Sequence, residues 1–264
     1  MTNGVFVTLH IDTFLSGIQN KKLNSNHIKT RHIYITSQAT MASKTIRPSE
    51  INAGDIKLSD PKALDKGCKM LYMNHKESSF VLQIPNMKCT WGLKKWEGKD
   101  GQPDKYNLDL SLGDIENNPA LKEVFNKFKE IDEKLIDIGF ANSQGWFNRK
   151  HDHRSSVEMV YTPIIKYSKD KDGKVTDKYP PTIRLQVPFR NDKFDINVYD
   201  TKRQAVDLDT VDLKGATVAA IIQFTGVWIT KLGFGCSTRI IQLRVTPKPN
   251  SMKGYAFVED PDRL

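Results

Sequence analysis

Cysteine is scarce: Cys68, Cys89 and Cys236 are the only three, far apart and without a Cys-x-x-Cys pair. That spacing offers neither a disulfide framework nor a zinc ribbon, so the thiols read as the reduced ones of an intracellular protein. Long apolar runs are missing too. None approaches the roughly 20 residues that a membrane-spanning helix needs, so no membrane partner is expected. Nor is there a nucleophile elbow, a phosphate loop, a His-Glu-x-x-His zinc motif or a dinucleotide fingerprint. The short "GFG" at 233–235 has no following helix whose N-terminus could receive a phosphate. Neither catalysis nor a cofactor is expected. Acidic residues are outnumbered, 31 Asp and Glu against 40 Lys and Arg, for a net charge of +9. The excess favours an anionic partner, nucleic acid first.

The shortage of acids is sharpest in residues 1–40, where Asp12 stands alone among Asn, Thr, Ser and His with no sustained periodicity. Met41 opens a fresh segment, "MASKTIRPSE", and reads as a candidate start. Residues 1–40 are therefore expected to be a disordered extension and 41–264 a single β-rich domain. A single arginine, Arg31, and a weak amphipathic pattern argue against a transit peptide.

Within the domain, "CKMLYMNH" (68–75) and "SSFVLQIP" (78–85) are rich in strand formers. "YNLDLSLG" alternates, with Tyr106, Leu108, Leu110 and Leu112 on one side. Between them "WGLKKWEGKDGQPDKY" reads as a long basic loop. One helix is predicted at about 119–138, with Leu121, Val124, Phe125, Phe128, Ile131, Leu135 and Ile138 on its apolar face. Asn118 is its expected N-cap, Pro119 its first residue and Gly139 its stop. Strands resume in "VEMVYTPIIKYS", "TIRLQVPF", "KFDINVYD" and the paired runs of 216–245. This order predicts an α+β fold, mainly β, with an antiparallel sheet closed as a barrel or folded as a sandwich. In the last run Ile221, Ile222, Ile241, Leu243 and Val245 are the expected core. The alternation turns Gln242 and Arg244 away from it.

Two segments invite metal readings. In "KDKDGKVTD", placing Asp170 and Asp172 at the third and fifth positions of a calcium loop puts Tyr179 at the twelfth, where a bidentate Glu is required. An Asp-Gly hairpin turn is expected instead. His151 and His153 flank Asp152 without a third ligand at matching spacing, so no metal is expected there either.

What remains is the mixing of cations with aromatic rings. Trp91, Lys94, Lys95 and Trp96 form one cluster, Trp146, Phe147, Arg149 and Lys150 a second, and Trp228, Lys231, Phe234 and Arg239 a third. Proteins that hold single strands without reading sequence need both residue types in one groove, because cations follow the phosphates while rings stack on bases. The predicted stacking residues are Trp91, Trp96, Trp146 and Trp228, with Phe234. The predicted phosphate contacts are Lys94, Lys95, Arg149, Lys150, Lys193, Arg239 and Arg244.

The succession "SSFVLQIPNMKCTWGLKKW", "ALKEVFNKFKEIDEKLIDIGF", "YTPIIK…KYPPTIRLQVP" and "KGATVAAIIQFTGVWITKLGFGCSTRIIQLRV" resembles single-stranded DNA-binding proteins of the OB-fold type from large nucleocytoplasmic DNA viruses. The resemblance spans about residues 60–250. It implies an antiparallel, five-stranded OB-like Greek-key barrel with one inserted helix. It also implies sequence-tolerant binding of single-stranded DNA, with RNA as the other strand to test, in viral replication or recombination. Replication proteins are the further partners it implies, and an infected cell's cytoplasm or nucleus, or the virion, its location. The end of the chain, "YAFVEDPDRL", departs from the long acidic tail of phage and bacterial proteins with this function: three acids, Glu259, Asp260 and Asp262, precede Arg263.

Two other readings compete. A viral structural or scaffold protein with a β-sandwich would bury the aromatics in subunit contacts and bind no nucleic acid. A nuclease would need magnesium-binding carboxylates, for which Asp192, Asp195, Asp200, Asp207, Asp209 and Asp212 supply acids at spacings typical of strand ends and loops.

Overall fold

The computed structural model describes residues 44–98, 101 and 103–248. The expected extension at 1–40, the candidate start at Met41 and the acids near the end of the chain lie outside the described residues. The strands in chain order are β1 (Ile56–Leu58), β2 (Lys62–Ala63), β3 (Lys69–His75), β4 (Ser78–Trp96) and β5 (Lys105–Ser111). Three helices follow, α1 (Pro119–Ala141), α2 (Ser143–Phe147) and α3 (Arg154–Glu158). Then come β6 (Tyr161–Thr162), β7 (Ile165–Lys166), β8 (Ser168–Lys169), β9 (Val175–Thr176) and β10 (Thr182–Val187). The chain closes with β11 (Phe189–Arg190), β12 (Lys193–Phe194), β13 (Asn197–Tyr199), β14 (Thr217–Ile229) and β15 (Phe234–Thr246).

The molecule is mainly β, and its large sheet is mixed. β14 and β15 form a long antiparallel hairpin, and β14 pairs on its other side with β4 and then with β3. β4 continues into an antiparallel pair with β5, and β5 with β10. β10 returns to β15 through one parallel pair, Gln186 with Arg239, while β6 and β13 also run parallel to β15. The expectation of an antiparallel barrel is thus met only in part: the sheet has parallel members, and a single residue pair joins β10 to β15.

The 3.6-residue period of α1 does what it predicts. Leu121, Val124, Phe128, Ile131 and Leu135 are buried, and Phe128 meets Phe224 of β14 edge-on, with ring centroids 5.6 Å apart. The side chain of Asn118 accepts hydrogen bonds from the N–H groups of Ala120 and Leu121, as an N-cap should. Gly139 is not the stop. The helix runs through it to Ala141, and a Cβ at 139 would stand 3.0 Å from Cζ of the buried Phe234. Glycine at this position serves helix-to-sheet packing, which a sequence reading cannot tell from a C-cap. Among the described residues no helix is long and apolar enough to cross a membrane.

Three further expectations change. "WGLKKW" is strand, not loop: Gly92 sits at φ +73°, a bulge shifts the register between Cys89 and Leu93, and β4 resumes beside β5. "VEMVYTPIIKYS" is not one strand. It begins in α3, and Pro163 separates the short β6 from β7. In the last hairpin a register shift at Ile221/Ile222 pairs Ile222 with Ile240. Ile240 therefore fills the core, while Ile241 and Ile221 stay half-buried. The expected Asp-Gly turn does form, with β8 pairing β9 and Asp170 accepting from the N–H groups of Asp172 and Lys174.

Candidate nucleic-acid interface

The alternation along two neighbouring strands builds one polar face. In β5, Leu108 and Leu110 point into the core, so Asn107 and Asp109 point out. In β10, Ile183, Leu185 and Val187 are buried, so Thr182, Arg184 and Gln186 share the outer side. The register sets Arg184 opposite Asp109 and Gln186 opposite Asn107. On the other side of β5, Lys94 stands opposite Asn107 and Trp96 opposite Lys105. The same face is extended by Lys166 beside Thr182 and by Arg239 beside Gln186.

Two tryptophans project from this face, Trp91 50% and Trp96 54% exposed. Exposure of this kind is unusual for so large an apolar surface. Each ring carries a cation. Nζ of Lys94 lies 5.5 Å from the Trp91 ring centroid, and the Arg184 guanidinium carbon 5.9 Å from that of Trp96. The two cations meet at one carboxylate. Asp109, only 4% exposed, accepts from Lys94 Nζ at 2.7 Å and from Arg184 Nε and a terminal nitrogen at 2.8 and 3.1 Å. The result is a chain of contacts running ring, cation, carboxylate, cation, ring.

The electrostatics follow from this arrangement. Burial alone would raise the Asp109 carboxyl, yet the hydrogen bonds from Arg184 and Lys94 outweigh it and hold the group below the usual carboxylate range. Arg184 is held charged by the same bond. Lys166 is pushed down, first by burial and then by the nearby Arg184 charge. The bond to Asp104, at 2.9 Å, raises Lys95.

The predicted site residues divide. Trp91, Lys94 and Trp96 stand together on the face, and Arg239 borders it, its Nε donating to Gln223 Oε1 at 3.0 Å. Lys95 is on the same strand, paired with Tyr106, and its ammonium is engaged by Asp104. Trp146 and Phe234 are corrections. They are 5% and 0% exposed and pack on each other with centroids 5.8 Å apart, joined by Phe147 and Tyr161. Phe234 and its cross-strand partner Ile229 both point inward, so the Phe234 ring serves the seam between α1 and β15 and is closed to a base.

Trp228 is half-buried at the far end of β14, opposite Gly235 and Met70. Arg149 and Lys150 are exposed after α2, and Lys193 is exposed at the start of β12. Arg244 is exposed near the end of β15, 3.5 Å from the Asn86 side-chain oxygen. These residues lie outside the face around Asp109. Among the acids weighed for a nuclease, Asp200 and Asp212 accept backbone N–H bonds within their own turns. Among the described residues no three His, Cys, Asp or Glu side chains are grouped to hold a metal ion.

Sequence reasoning missed Arg184, Asp109, Lys105 and Lys166. The first had a signal, because strict alternation in "TIRLQV" turns Arg184 outward with Gln186.

A family model described as "Family of unknown function (DUF5871)" matches residues 109–259. The chain belongs to this family. The matched region takes in Asp109, Arg184 and Arg239 and starts downstream of Trp91 and Trp96. No curated protein matches the chain. Among solved structures it is similar to the single-stranded DNA-binding protein of bacteriophage Enc34 in complex with single-stranded DNA, at 15% identity and a TM-score of 0.40 over 75% of this chain and 99% of that one. It is also similar to gp2.5, the single-stranded DNA-binding protein encoded by bacteriophage T7, at 8% identity and a TM-score of 0.43 over 67% of this chain and 91% of that one. Both likenesses are distant.

Proposed function

We propose that this chain is a sequence-tolerant, non-catalytic single-stranded DNA-binding protein, and that the strand lies across the outer face of β4, β5 and β10. The observation that carries the reading is the pair of exposed tryptophans, each backed by a cation, on one face of the sheet. Every base has a face that can stack on an indole, so such a surface holds strands of any sequence. Lys105 opposite Trp96, and Lys166 and Arg239 beside β10, border the face and supply positive charge for the phosphates. The cycle of pairings from β14 through β4, β5, β10 and β15 supports reading the fold as OB-like, with these as its five strands. OB folds bind oligonucleotides on the face of their second and third strands and on the loop between the first and second. In this chain that is the β5–β10 face, with Trp96 at the edge of the β4–β5 loop. The resemblance of the quoted segments to viral single-stranded DNA-binding proteins extends the reading to DNA replication or recombination inside an infected cell.

Titrating the full chain with oligo(dT) while following tryptophan fluorescence tests this directly. Quenching is expected, with affinity falling as salt rises. Trp91→Ala and Trp96→Ala should each cost about 1–3 kcal/mol of binding while leaving the fold intact. Trp146→Ala should instead cost about 3–5 kcal/mol of folding stability, since its ring is packed in the core. A scaffold protein would show neither quenching nor salt dependence with oligo(dT), and that result would end the reading.

A further inference from the structure

We infer that Asp109 is a positioning residue of this face: it holds Lys94 against Trp91 and Arg184 against Trp96, so that these two cations serve the rings and not the phosphates. The inference rests on the reading of the face as a strand-binding surface. An acid at the centre of a surface for a polyanion needs a reason, because it repels the ligand and takes up two positive charges. Its geometry supplies one. The carboxylate is almost fully buried, both of its oxygens are engaged, and all three donors come from the two cations that lie over the exposed rings.

A long flexible lysine or arginine on an open sheet would otherwise sample many rotamers and follow the phosphates. Tied to Asp109, each is held beside one indole, and each indole is held open to solvent on a fixed support. The strand then meets two preset rings, and little ordering remains to be done when it binds. The same bonds leave the two cations with little charge to offer a phosphate. Lys105, Lys166 and Arg239 are then the residues that carry the salt-sensitive part of binding.

The slope of log affinity against log salt separates the two roles, because each phosphate neutralised on a single strand contributes about 0.7 to it. In Asp109→Asn the cations are released from the carboxylate. The expected result is a slope steeper by about 0.7 to 1.4, one or two cations freed, together with an altered tryptophan emission in the unbound protein. Arg184→Gln, at a site exposed on the surface, removes one ring support and leaves Lys94 on Asp109. It is expected to weaken oligo(dT) binding severalfold at every salt concentration with the slope unchanged. A slope reduced by about 0.7 in Arg184→Gln, or unchanged slope and emission in Asp109→Asn, would overturn the inference while the parent protein still bound. Absence of oligo(dT) binding by the parent would overturn the reading of the face and this inference with it.

Discussion

At the scale of single residues, the most consequential group outside the β4–β5–β10 face is Asp132. It lies on the buried side of α1 and accepts from Tyr161 Oη at 2.6 Å and from the N–H of Ile164 at 3.2 Å. These bonds tie the helix to the segment that leads into β7 and so to Lys166, two residues after Ile164. Burial pushes the Asp132 carboxyl up from 3.8 to about 6, against the lowering effect of Tyr161, Ile164 and Lys166 and with help from Glu133. A carboxyl raised in the folded state favours folding fully below its unfolded value and loses that contribution as pH rises through about 6. The shift corresponds to about 3 kcal/mol against the ionised form. Asp132→Asn keeps an acceptor for Ile164 and removes the charge. Chemical denaturation at a series of pH values should therefore show the variant gaining on the parent between pH 4 and 7, by up to about 3 kcal/mol, with a constant difference at higher pH. A difference that does not change across that window would exclude Asp132 as the titrating group.

At the scale of elements, glycines mark where the fold departs from its sequence reading. Gly92 holds φ +73°, and a Cβ there would lie 3.3 Å from the backbone nitrogen of Lys214. Gly92→Ala should cost about 1–2 kcal/mol through the left-handed backbone alone. Because Gly92 makes the bulge between Trp91 and the rest of β4, it should also weaken oligo(dT) binding. Gly139→Ala gains helix propensity of about 1 kcal/mol but drives a methyl onto the fully buried Phe234, so a net loss of about 1 kcal/mol is expected in thermal unfolding. The helix itself was readable, because its period, cap and length are local. β5 and β10 were readable by alternation. The site was less so. Asp109 meets Arg184 across 75 positions, and only the register of two strands reveals that an acid and a cation share one spot. The second and third aromatic clusters misled for the converse reason: Trp146 and Phe234 sit among cations in the chain but face each other in the core. Likewise, the glycine and lysines of "WGLKKW" disguise a strand whose partner, β5, lies beyond the next loop.

At the scale of the whole molecule, the 40 Lys and Arg behind the net charge of +9 are not all equally free to meet a phosphate. Many cations already have partners: Lys94 and Arg184 on Asp109, Lys95 on Asp104, and Arg154 on Glu133, Asp137 and Glu158. Lys94 and Arg184 are held beside the two exposed rings, Lys95 at the β4–β5 loop, and Arg154 ties α3 to α1. If Lys105, Lys166 and Arg239 are the phosphate contacts, log affinity for oligo(dT) should fall against log salt with a slope of about −2, three contacts at about 0.7 each. Lys105→Ala should reduce the magnitude by about 0.7 and leave the quenching at saturation unchanged, since both ring–cation pairs, Lys94 with Trp91 and Arg184 with Trp96, remain in place. Trp96→Ala should do the reverse, lowering affinity and quenching at an unchanged slope. A slope near −6, the value expected if the whole excess of cations met phosphates, would show that binding is spread over the molecule and is not concentrated on the β4–β5–β10 face. Measured on one protein and two single variants, these slopes separate a stacking surface bordered by a few cations from diffuse attraction to a basic chain.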